Sequence, residues 1–73
     1  MNQKDQVKVL KAGFTILRIE ITPINNSIDY TRKIKYKNDG NREWRTYESG
    51  FPSNAALNKR MKELLEDEKM IED

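Results

Sequence analysis

Lys33, Lys35 and Lys37 recur at every second position of one ten-residue stretch, and Arg45 and Tyr47 repeat that spacing shortly afterwards. Cationic side chains at a period of two share one face of an extended strand. Such a face neutralises phosphates, and an aromatic among the cations offers a surface for stacking. Arg18, in an earlier β-branched stretch, joins this set if the second half of its strand turns Leu17, Ile19 and Ile21 inward.

Other chemistries have little material. The chain contains neither cysteine nor histidine. Disulfides, Cys/His zinc sites, Cys or His nucleophiles and Ser-His-Asp arrangements are thereby excluded. The densest carboxylate group, Glu66-Asp67-Glu68, consists of neighbours that point different ways around a helix end, whereas acid–base work needs two carboxylates at a set separation. Asn38-Asp39-Gly40-Asn41 has part of a calcium loop without its closing glutamate or flanking helices, so a hairpin turn explains it better. Gly13, Gly40 and Gly50 lie too far apart to cradle a phosphate. The expectation is a non-enzymatic binding domain with no cofactor, no metal and no small-molecule substrate.

The elements that must position these cations follow from hydrophobic period. Residues 1–6 read as a polar, disordered lead-in, and Val7–Lys11 as a short strand or an extended arm. Phe14 to Thr22 is a β-branched strand stopped by Pro23. Its alternation changes phase, with Phe14 and Ile16 on one face and Leu17, Ile19 and Ile21 on the other. Either a bulge lies near Ile16-Leu17 or both faces are partly covered. Pro23 to Ser27 has the residue types of a turn. From Ile28 to Lys37, Ile28, Tyr30, Ile34 and Tyr36 alternate with polar residues, interrupted on the apolar face by Arg32.

Asn38-Asp39-Gly40 suits a three-residue loop with Gly40 in the left-handed region. That loop pairs Tyr36 with Arg42, Lys35 with Glu43 and Ile34 with Trp44, which places the single Trp in the core beside Tyr36. It leaves Glu43, Arg45 and Tyr47 outside with the lysines. A two-residue Asp39-Gly40 loop would instead set Trp44 opposite Lys35 and expose it; a one-residue slip swaps every face. Strand three runs from Arg42 to about Glu48. Ser53 then caps a helix whose Leu57, Met61, Leu64 and Leu65 form an apolar stripe reaching about Asp67, and Met70-Ile71 add a last apolar contact.

The expected fold is α+β: a three-stranded antiparallel meander packed on one C-terminal helix, β-β-β-α, with residues 14–67 as its core. Seventy-three residues make one small domain, in which roughly 60% of the unfolded surface is buried.

Charge is unevenly distributed. Residues 1–62 carry thirteen Lys and Arg against six Asp and Glu, a net of +7, and residues 63–73 carry one Lys against six acidic residues, a net of −5. A basic body with an acidic end (68–73 beyond the helix) suits an anionic partner. No apolar run approaches the ~20 residues of a membrane span, and the polar N-terminus lacks a signal-peptide core, so a cytoplasmic protein is expected.

Trp44-Arg45-Thr46-Tyr47-Glu48-Ser49-Gly50-Phe51-Pro52-Ser53-Asn54-Ala55-Ala56 combines a strand containing cations, Gly-Phe, one residue, Ser, and Ala early in an amphipathic helix. This pattern resembles the AP2-like, arm-type N-terminal domains of phage and transposon tyrosine integrases. The resemblance implies three antiparallel strands followed by a helix, and binding of double-stranded DNA by the sheet in the major groove. It extends over roughly residues 14–67. Carried onto this chain, it implies Arg18, Lys33, Lys35, Lys37, Arg45 and Tyr47 as the DNA-facing residues, in an accessory protein of a mobile element without recombinase activity. Glu43 and Glu48 make the third strand less basic than in that family. The alternative partner is another protein, or a second copy of the chain.

Overall fold

A computed structural model describes residues 2–25 and 28–73. The elements run α1 (Gln3–Lys11), β1 (Thr15–Pro23), β2 (Tyr30–Asn38), β3 (Asn41–Ser49), α2 (Asn54–Leu64) and β4 (Met70–Glu72). The fold is α+β; among the described residues it has a four-stranded mixed sheet in the order β3-β2-β1-β4 and two helices rather than a three-stranded meander with one.

The first difference lies at the N-terminus, where the expected lead-in and short strand form one helix. The Asn2 side chain caps it by accepting the Asp5 N–H at 2.8 Å. Its far end closes with Gly13 at φ 93°, where Gly13 N–H donates to Leu10 O at 3.0 Å and Phe14 N–H to Val9 O at 3.1 Å. Those two bonds are the Schellman arrangement, which satisfies two carbonyls at the helix end.

β1 pairs with β2 without a shift from Ile16↔Lys37 to Pro23↔Tyr30. The phase change in β1 therefore reflects cover on both faces, not a bulge. Leu17 and Ile34 are buried against Leu57, Met61 and Leu64 of α2, with Ile19, Tyr36, Phe51, Leu65 and Met70 around them. On the opposite face Ile16, at 0% exposure, shares burial with Leu10 of α1, at 2%. The helices thus lie on opposite faces of the sheet. Arg32, the interruption on the α2 face, is explained by its Nε donating to Asn54 Oδ1 at 2.7 Å, at the start of α2. β2 begins at Tyr30 rather than Ile28, which is 94% exposed.

Between β2 and β3 the loop is the two-residue one: Asn38 pairs with Asn41 around Asp39-Gly40. Gly40 does not take a positive φ; Gly13 and Gly50 do. The ladder then slips twice. One residue of β2, Lys37, faces three of β3 (42–44), so Tyr36 pairs with Arg45 instead of Arg42. Tyr47 is a further extra residue, lying between the pairs Lys35↔Thr46 and Ile34↔Glu48. The first slip adds two residues and so keeps the faces that the two-residue loop sets, whereas the single extra residue Tyr47 turns Glu48 and Ser49 over.

Ser53 caps α2 as expected, its Oγ accepting the Ala56 N–H at 3.1 Å, and Leu57, Met61 and Leu64 form the buried stripe. Arg60 on α2 donates to Glu48 at 3.0 Å and to Glu63 at 3.4 Å; these partners raise its pKa, the hydrogen bond to Glu48 most. The helix ends at Leu64, short of Asp67. Met70-Ile71 belong to β4, which lies parallel to β1 in the register Thr15↔Met70, Ile16↔Ile71 and Leu17↔Glu72.

The chain is elongated, 40 × 24 × 19 Å, with a radius of gyration of 13.2 Å against about 11 Å for a compact chain of this length. α2, at ~1.5 Å per residue, is only about half as long as the nine-residue strands it covers, at ~3.3 Å per residue. The apolar face consequently runs past the helix. It leaves Ile21 and Tyr30 half-exposed, with Ile24 and Ile28 in the adjoining loop.

Candidate nucleic-acid interface

The face opposite α2 is set by the pairing of β1 with β2. Arg18 lies across from Lys35, Glu20 from Lys33 and Ile16 from Lys37. Directly opposed residues project to the same side, so Arg18, Lys33, Lys35 and Lys37 share one surface. The sequence placed these four together, and the structure brings them together.

Trp44 joins this group beside Lys37 and Arg18 and is not in the core. The Lys37 ammonium lies 4.6 Å from the ring centroid and the Arg18 guanidinium carbon 5.0 Å from it. Both are within the ~6 Å over which a cation is attracted to an aromatic face. The two-residue loop sets Trp44 on this face, the slip between Asn38 and Tyr36 moves it along the strand toward Lys37, and half-burial under two cations replaces burial under α2.

Lys37 and Lys35 also have oriented polar neighbours. Lys37 Nζ donates to Gln6 Oε1 of α1 at 3.2 Å. Lys35 Nζ donates to Thr46 Oγ1 at 3.0 Å and stands 3.7 Å from Glu20 Oε2. The pair with Glu20 is partly exposed and weak, so it leaves Lys35 available to a stronger anion. Lys33 sits one pleat further along β2, across from Glu20.

The other two expected residues lie elsewhere. Arg45 pairs with Tyr36, whose ring packs against the α2 core, and its Nε donates to Asn41 Oδ1 at 3.0 Å. Tyr47 meets Tyr36 edge to face, with centroids 5.8 Å apart. Both are exposed, but on the α2 side of β3. Sequence reasoning exchanged Trp44 with Arg45 and Tyr47 because it took the three-residue loop, one residue out of step with the two-residue loop that forms. It also missed Gln6, whose signal was its spacing of four from Leu10 on one face of α1.

Chemically, the surface can neutralise a row of anions and offer one ring for stacking. Among the described residues no helix is long and apolar enough to cross a membrane. No protein-family model matches the chain, and comparison with curated proteins and with solved structures finds no significant match.

Proposed function

We propose that this chain is a non-enzymatic domain that binds double-stranded DNA on the face of its sheet opposite α2. The observation that carries this reading is the grouping of Arg18, Lys33, Lys35 and Lys37 on one surface, with Trp44 between two of them. Pre-oriented cations lose less freedom on meeting phosphates than free side chains do. Four phosphate contacts correspond to a slope of about −3 to −4 in log K against log salt. The integrase resemblance points the same way, toward a cytoplasmic accessory protein of a mobile element.

Edge pairing with another chain is a weaker reading. One edge, β3, is broken by two register shifts, and the other, β4, is three residues long. Both features blunt strand addition. A second reading, self-association, is favoured instead by the uncovered apolar end of the β1–β2 hairpin, with Ile21, Ile24, Ile28 and Tyr30.

Titration of a labelled mixed-sequence duplex with the full chain at several salt concentrations separates these. Binding that weakens steeply with salt supports the DNA reading, and its absence at low salt removes it. A mass that rises with protein concentration in the absence of DNA supports self-association.

A further inference from the structure

Lys4, Lys8 and Lys11 stand at i, i+4 and i+7 of α1 and form one exposed stripe. The opposite side of the helix is committed to the protein. Leu10 is buried, Val7 and Val9 are half-buried, and Gln6 bonds both Lys37 and Asp73. The Lys37–Gln6 bond fixes where the helix stands, against the end of the cationic face and over Ile16. A helix about 10 Å across on a flat sheet makes a step. A duplex resting on Arg18, Lys33 and Lys35 would abut this step, and the lysines of its outer side, on their long stems, would reach the phosphates over its edge.

Charge is sorted to match. α1 adds three lysines to the four sheet cations, against Asp5 in its first turn, Glu20 on the sheet and Asp73 at Gln6. Most of the acidic C-terminal residues (Glu63, Glu66, Asp67 and Glu68) belong to α2 and the turn after it. Seven of the thirteen Lys and Arg of residues 1–62 thus lie on the α1 side of the sheet, a grouping that a near-neutral total conceals.

We infer that α1 is the second wall of the duplex site, with Lys4, Lys8 and Lys11 meeting phosphates that flank those held by the sheet. This rests on the double-stranded DNA reading. Each lysine in contact adds about 0.9 to the salt slope.

Two double variants remove the same charge from opposite sides: K8A/K11A on α1 and K59A/K62A on α2, all four positions being exposed. Alanine keeps the helix propensity, and far-UV circular dichroism confirms that each variant folds. With a labelled 20-base-pair duplex, K8A/K11A should flatten the slope by about 1.8 and weaken binding roughly fifty-fold at 0.1 M salt. K59A/K62A should leave both nearly unchanged. If K8A/K11A loses helix, K4A/K8A reads the same stripe with Lys11 of the last turn kept. Equal effects of the α1 and α2 pairs would mean that net charge alone acts and would overturn the inference. An unchanged slope for folded K8A/K11A overturns it too, while leaving the sheet reading in place. No binding by the parent chain would remove both.

Discussion

The ammonium of Lys37 lies 4.6 Å from the centre of the Trp44 ring while also donating to Gln6 of α1. One cation thereby ties together β2, β3 and α1, and Arg18 of β1 reaches the same ring. An anion that draws Lys37 and Arg18 away would uncover the ring, so events at this surface change the surroundings of Trp44.

Trp44 is the single tryptophan of the chain, so its emission reports this surface alone. Adding duplex DNA should shift or quench that emission in parallel with the rise in anisotropy of the labelled duplex. Anisotropy that rises while the emission stays constant would place the contact elsewhere. Replacing Trp44 with Ala should weaken binding about five- to thirty-fold, through lost orientation of the two cations and lost stacking.

The two faces of β3 give a second prediction. R18A/K33A/K35A should flatten the salt slope by about 2.7, because three contacts are lost. Arg45→Ala should change the slope by less than one such contact, since Arg45 lies beside Tyr36 on the α2 side. A larger loss from Arg45→Ala than from any single sheet lysine would reverse the assignment of faces.

The period-two pattern of β2 and the Leu57, Met61, Leu64 stripe of α2 were legible in the sequence because each records a single buried face. So were the Ser53 cap and the four cations of β1 and β2, whose ladder runs without a shift. β3 was not legible. Its faces depend on whether two or three residues close the turn after Asn38 or Lys37, and burial of the single Trp argued for three where the chain uses two, so Trp44, Arg45 and Tyr47 were assigned to the wrong sides. The bulges at 42–44 and Tyr47, which no local residue type announces, shift the pairing along β2 and turn only Glu48 and Ser49. In α1, Val7-Lys8-Val9 imitates a strand, while the helix rests on Asn2, Gly13 and the tertiary contact of Leu10 with Ile16's face. β4 is three residues held mainly by pairing with β1, which tertiary context alone supplies.

Gly13 and Gly40 should respond oppositely to alanine. Gly13 holds φ at 93° and a Cβ there would meet nothing within 4 Å, so the cost is purely conformational. About 1–2 kcal/mol is expected, or a melting temperature lower by several degrees for a domain this small. Gly40 has no positive φ, and its Cβ would sit 3.6 Å from Asn38 Oδ1, an ordinary contact. Gly40→Ala should be neutral or slightly stabilising by restricting the unfolded chain. Urea denaturation of both variants checks the contrast, and equal losses would contradict it.

Ile16 is fully buried yet lies outside the cluster formed with α2. Its burial is shared with Leu10, so it anchors α1 to the sheet. Truncating it to Ala removes apolar contact and leaves a cavity, at a cost of about 2–5 kcal/mol. That is a large part of the stability of a small domain. The loss should not be uniform, because α1 has few other apolar ties and can detach while α2 stays on its own cluster. Hydrogen exchange should therefore accelerate in residues 6–12 well before residues 57–64. Ile34→Ala, which opens the main core, should accelerate both together. If Ile16→Ala raised exchange equally in the two helices, the two sides of the sheet would form one cooperative unit, and α1 could not move independently at the cationic surface.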